Sequence, residues 1–147
     1  MAVIIHSRAA LGTIATPRPQ TAGAVHAAKF THVIGAAIAA GAILELGVLP
    51  AFAEIVDYKL VPEGNFGAVT ASGGIMTGEL GSDDAARDAG TELFSAATAL
   101  DAVGRPDKAA AYSVKPVDQD RGIGFKFSAA VTADVTKKLT LIVSYRQ

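Results

Sequence analysis

Residues 121–127 and 138–146 read Arg-Gly-Ile-Gly-Phe-Lys-Phe and Lys-Leu-Thr-Leu-Ile-Val-Ser-Tyr-Arg. In the first, Ile123, Phe125 and Phe127 alternate with Gly122, Gly124 and Lys126. In the second, Leu139, Leu141, Val143 and Tyr145 alternate with Lys138, Thr140, Ile142 and Ser144. Successive side chains of a strand point to opposite faces, so each stretch reads as a strand with one face in a core. The polar link Thr132 to Lys137 between them predicts an antiparallel hairpin.

The same period recurs upstream. Lys29-Phe30-Thr31-His32-Val33 alternates loosely. Ala42, Leu44 and Leu46 share a face, with Glu45 opposite, and Pro50 breaks the run. From Phe52 to Val61, Phe52, Glu54, Val56, Tyr58 and Leu60 fall on one face. Ala53, Ile55, Asp57, Lys59 and Val61 fall on the other. Pro62-Glu63-Gly64-Asn65 is a turn cluster. Phe66 to Ser72 and Ile75 to Leu80 predict two short strands joined at Ser72-Gly73-Gly74. A polar, glycine-bounded loop spans 81–90, and in 91–103 Leu93, Ala97 and Leu100 have the spacing of a short helical turn, which is favoured over a short strand ending in a loop. Eight or so short strands without a long amphipathic helix predict an all-β fold, an antiparallel, jelly-roll-like β-sandwich over residues 29–147.

Residues 1–28 show no sustained period. They hold Arg8 and Arg18 and no acid, and Pro17 and Pro19 favour an extended path. This segment reads as an extended N-terminal arm, either frayed or ordered by lying on a neighbouring subunit.

Val33 to Leu49 imitates a targeting signal, with Ala51-Phe52-Ala53 resembling a small-x-small cleavage site. Against that, 32 residues precede the run, and Glu45 sits within it. A carboxylate at a membrane centre costs about 2.5–3.5 kcal/mol. Seventeen residues is also the short limit for a span. Buried strands, or a short Ala-rich turn between them, are the better reading, and no membrane contact is expected.

At 147 residues and 14.9 kDa the chain is one domain in size. Ala and Gly together fill 45 positions (30 and 15), while only six Phe, three Tyr, two Met and no Trp supply bulk. Charged residues make up 18%, against about 25% in a typical domain. A chain short of both core bulk and surface charge points to assembly with other subunits. The net charge of −1 leaves no footprint for phosphate neutralisation, so no nucleic-acid partner is expected. Zero Cys excludes disulfides, thiol nucleophiles and Cys-based metal sites.

Chemistry-bearing motifs are sparse. His6, His26 and His32 form no metal-spaced pair and have no acid within five residues. Asp83, Asp84 and Asp88 lack calcium-loop spacing. Asp118-Gln119-Asp120-Arg121-Gly122 is the densest polar cluster, and there Arg121 can meet a nearby acid or one across a subunit contact. Gly122-Ile123-Gly124 is too short to cradle a phosphate. An enzyme has no residues to rest on, and no cofactor or metal is expected. Candidate protein-interface residues are Arg8, Pro17, Arg18 and Pro19 in the arm and Asp120 and Arg121 at a strand entrance.

Four stretches in order carry a resemblance: Glu45-Leu46-Gly47-Val48-Leu49-Pro50-Ala51, Gly90-Thr91-Glu92-Leu93-Phe94-Ser95, Asp120-Arg121-Gly122-Ile123-Gly124-Phe125-Lys126, and Leu139-Thr140-Leu141-Ile142-Val143-Ser144-Tyr145-Arg146. Over about residues 40–147 the chain resembles capsid decoration (cement) proteins of tailed bacteriophages. The resemblance implies a non-catalytic β-sandwich or jelly roll on the capsid surface. It further implies a homotrimer that clamps neighbouring major capsid protein subunits. Another virion part (tail or head–tail connector) and an exported bacterial β-sandwich binding protein stay open as alternatives.

Overall fold

The computed structural model describes residues 3–16, 23–106 and 108–147. Among them are eight strands: β1 (Ile4–His6), β2 (His26–Val33), β3 (Ile43–Leu49), β4 (Glu54–Glu63), β5 (Thr70–Ile75), β6 (Phe94–Ala99), β7 (Arg121–Phe127) and β8 (Lys138–Arg146). Sheet A has the order β1-β3-β7-β5-β6 and sheet B the order β2-β8-β4. All pairings between these strands are antiparallel except that of β1 with β3. The fold is an all-β sandwich.

The alternation that opens the sequence reading builds its core. Ile123, Phe125 and Phe127 from sheet A share one cluster with Leu139, Leu141, Val143 and Tyr145 from sheet B. Each large apolar side chain taken from water contributes about 1.5–3 kcal/mol. The few aromatic rings sit where they count most. Phe94 meets Tyr58 edge-on at 5.2 Å and Phe125 at 5.8 Å, so three rings join β4, β6 and β7. The Tyr58 hydroxyl donates to the Leu93 carbonyl at 2.6 Å, which satisfies its buried polar end. At Gly47 a Cβ would lie 2.8 Å from Leu141 and 2.9 Å from Phe30. Glycine there lets β3 approach sheet B.

Four local expectations are corrected. The two C-terminal strands are not a hairpin: β7 lies in sheet A and β8 in sheet B. Their apolar faces look at each other across the core, and the link between them changes sheet. Ser72-Gly73-Gly74 is not a turn either, because β5 runs straight through it. Those glycines serve close approach: a Cβ at Gly73 would strike the Phe125 ring, and one at Gly74 would strike Glu92. Residues 94–99 form strand β6, paired with β5, rather than a helical turn. The single short helix among the described residues is instead a 3₁₀ turn at Ala109–Ser113. Finally, β4 slips register between Ile55 and Asp57, so Val56 is exposed while Ile55, Tyr58 and Leu60 are buried. It also continues through Pro62, which an edge strand tolerates.

The second half of the signal-like run becomes β3, buried at all seven positions, while Val33 ends β2. No helix among the described residues is long and apolar enough to cross a membrane. The segment read as an arm contributes β1, hydrogen-bonded alongside β3, and its last three residues open β2. Ser7, Ala9 and Ala10 are buried.

Candidate functional site

Glycine at alternate positions clears the outer face of sheet A. A Cβ at Gly122 would overlap the Glu45 carboxylate, and one at Gly124 would overlap Met76 Sδ. The 76–92 segment therefore packs directly on the sheet, and one carboxylate fastens it. Glu45 Oε1 receives Arg87 Nη2 at 2.5 Å. Its Oε2 contacts His6 Nδ1 at 2.6 Å, and accepts from Arg87 Nη1 at 3.2 Å and from the Gly81 N–H at 3.2 Å. Arg87 turns two further donors to carbonyls, Nε to Thr77 at 2.8 Å and Nη1 to Ser82 at 2.7 Å. His6 Nε2 lies 3.0 Å from Asp83 Oδ1. Glu45 is fully buried and Arg87 is 2% exposed.

Chemically this cluster is closed. Both oxygens of Glu45 and both ring nitrogens of His6 are engaged, which leaves no base or nucleophile poised toward a substrate. Among the described residues no three His, Asp or Glu side chains are placed to hold a metal ion. A cleft of about 630 Å³ is lined by Gly78, Glu79, Leu80, Gln119 and Asp120, and among the described residues its ionisable walls are Glu79 and Asp120. The cluster joins strand β1, strand β3 and the 81–90 loop. Its role is to hold the loop on the sheet.

The sequence-derived interface residues fall in different places. Asp120 Oδ1 accepts the Ala51 N–H at 2.8 Å and so ties the entry of β7 to the β3–β4 turn. Arg121 pairs with Leu49 at the end of β3. Its Nε and Nη2 are buried, with no hydrogen-bond partner among the described residues. Burial pushes the guanidinium pKa down, and the Glu92 carboxylate offsets this in part. Arg8 is exposed in the turns after β1, where its carbonyl accepts the Thr13 N–H at 2.9 Å. Pro17, Arg18 and Pro19 lie outside the described residues.

Two features escaped the sequence reading. Glu45 in an apolar run demands a buried cationic partner, but nothing local marks Arg87, in a polar loop, as that partner. The alternation from Phe52 to Val61 places Phe52 in a strand. Phe52 is instead 59% exposed in a turn with φ of 60°, a left-handed conformation that favours glycine.

No protein-family model matches the chain, and no curated protein is similar to it. Solved structures are. A chain in the capsid of Ralstonia phage GP4 is 37% identical, with 98% of this chain and 97% of that one covered and a TM-score of 0.88. A chain in the acidic stable capsid of Helicobacter pylori bacteriophage KHP30 is 15% identical over 86% of this chain and 90% of that one, with a TM-score of 0.51. One in the cyanophage Pam1 capsid asymmetric unit is 16% identical over 90% and 91%, with a TM-score of 0.52. The last two share the fold alone. With more than a third of its residues identical from end to end in the first, the chain belongs to the family of phage capsid proteins represented in the Ralstonia phage GP4 capsid, and its location is the virion capsid.

Proposed function

We propose that this protein decorates and stabilises a bacteriophage capsid, sitting on the shell surface as a homotrimer that clamps neighbouring major capsid protein subunits without catalysis. The observation that carries the reading is the end-to-end match to one chain of the GP4 capsid, a chain about as long as this one. A sandwich of 147 residues with a closed charge cluster suits an added reinforcement on a shell. Surfaces rich in Ala and Gly permit close approach, and many weak contacts on a symmetric lattice add up through avidity. The arm, with Arg8, Pro17, Arg18 and Pro19, extends that contact to neighbouring subunits, as strand and arm additions do elsewhere.

Copy number tests the proposal. Quantitative mass spectrometry of purified particles should find this chain on the order of hundreds of times per particle, near parity with the shell subunit. A count of about 6 to 12 would place it in a connector or tail and overturn the reading. Particles lacking the chain should also lose their contents at lower temperature than complete ones.

A further inference from the structure

Both ring nitrogens of His6 lie against carboxylate oxygens. Nδ1 is 2.6 Å from Glu45 Oε2, and Nε2 is 3.0 Å from Asp83 Oδ1. A carboxylate only accepts hydrogen bonds, so a ring that bonds to both carries a proton on each nitrogen. The surrounding charges suit that form. Among the described residues, Glu45 faces the ring from β3 and Asp83 from the 81–90 loop, and Arg87 of the same loop shares Glu45 Oε2. Two carboxylates thus meet two cations, His6 and Arg87. The patch balances only while the imidazole is charged.

The two contacts differ in their access to water. The Glu45 side chain is wholly buried and that of His6 is 8% exposed, whereas the Asp83 side chain is 91% exposed. A neutral imidazole has one N–H to give. Kept on Nδ1, that proton preserves the bond to Glu45, which water cannot reach to replace. Nε2 then turns a lone pair toward Asp83 Oδ1, and the exposed carboxylate is free to swing into solvent. The side-chain link from β1 to the loop opens, while the contact between Glu45 and Arg87 stays shut.

We infer that His6 is a pH-operated latch: its charged ring ties β1 to Asp83, and loss of the proton as pH rises frees the tip of the 81–90 loop while Arg87 holds the loop's base on Glu45. The tip carries the exposed carboxylates of Asp83 and Asp84. The latch therefore decides whether an acidic segment on the outer face of sheet A is presented in one fixed arrangement or in many.

The test reads ring and loop together in the full chain. NMR of the labelled His6 ring nitrogens across pH should show an imidazolium giving way to a neutral ring with its proton on Nδ1. Over the same pH range, hydrogen-exchange protection factors should fall at the Ser82 and Asp84 amides, which donate to Glu79 O and Ser82 Oγ. The fall should be about two- to five-fold, the scale of one solvent-exposed ion pair. Asp83→Asn supplies the second arm. Its amide accepts from a charged ring through oxygen and donates to a neutral one through nitrogen, so it bridges both states. That variant should fold like wild type and lose the pH dependence of loop protection. A wild-type ring that gives up its proton with no change at Ser82 and Asp84 overturns the latch. So does a neutral ring protonated on Nε2, a ring that stays charged until the chain unfolds, or an Asp83→Asn chain that keeps the wild-type pH dependence.

Discussion

Glu45 and Arg87, 42 residues apart in the chain, meet in a two-point contact at 2.5 and 3.2 Å with both side chains out of water. The pair replaces solvent with hydrogen bonds on one face of sheet A. Breaking one side strands a buried charge, which costs about 3–5 kcal/mol, whereas replacing both partners with apolar groups is close to neutral. Arg87→Met and Glu45→Leu should each shift urea unfolding of the free chain sharply to lower denaturant, and the double variant should recover most of the loss. Single variants that unfold at the wild-type midpoint would show that the contact does not hold the loop.

The glycines beneath that pair differ in tolerance. A Cβ at Gly122 meets a carboxylate already fixed by several partners, while one at Gly124 meets the end of the Met76 side chain. Methionine has three rotatable bonds and adapts, whereas the ion pair does not. Gly122→Ala should cost at least the 1–3 kcal/mol or so of ordinary overpacking, and Gly124→Ala less. Thermal melts of the two variants side by side check the order.

Acid should weaken the fold in two windows. His32 on β2 is half-buried, and burial pushes its pKa below the ordinary 6.5. As pH falls past 6.5 the unfolded chain takes up a proton before the folded chain does. Its contribution to stability is thus complete above pH 6.5 and is lost as pH drops toward the folded-state value. Asp134 acts lower: the Thr136 hydroxyl and N–H hold its carboxyl below 3.8. That contribution is present above pH 3.8 and is lost as pH falls through the lowered value. Melting His32→Gln and wild type from pH 8 to 5 should show a flatter decline for the variant. Asp134→Asn should flatten only the region below about pH 4.

Removing residues 1–10 should destabilise the sandwich itself. It strips β1 from β3, takes His6 from Glu45, and leaves the Leu46 carbonyl without the Ser7 hydroxyl it accepts at 2.7 Å. The truncated chain should melt lower and associate through the bared edge of β3, as light scattering would report. An unchanged melt would make β1 dispensable. Any trimming meant to probe shell binding alone must spare β1 and the first residues of β2.

Most of the strands could be read directly, because period-two alternation survives wherever one face is buried, as in β7 and β8. What failed was pairing. Two apolar faces that meet across a core look the same in sequence as two that lie side by side, so β7 and β8 read as a hairpin. Glycine misled for a related reason. At Gly73 and Gly74 it marks close approach of other groups, which a local reading renders as a turn. Bulges in β3 and β4 shift the alternation without any residue that announces them. Of the candidate interface residues, Asp120 and Arg121 stood out as a charge cluster next to a strand. The left-handed turn at Phe52 did not stand out, because such a backbone leaves no sequence mark unless the residue is Gly or Asn.

The order of the strands governs when the chain can fold. Sheet A places β3 between β1 and β7, and Leu49 at the end of β3 pairs with Arg121. During synthesis β3 must wait for most of the chain before its longer neighbour exists, and throughout that interval Ile43–Leu49, the second half of the signal-like run, lacks β7 along one edge. Distant pairing of this kind is slow and leaves sticky intermediates. The protein thus passes through a period in which it displays a stretch resembling an export signal to the host's targeting factors and chaperones. Its escape depends on how quickly Arg121–Phe127 arrives to cover it.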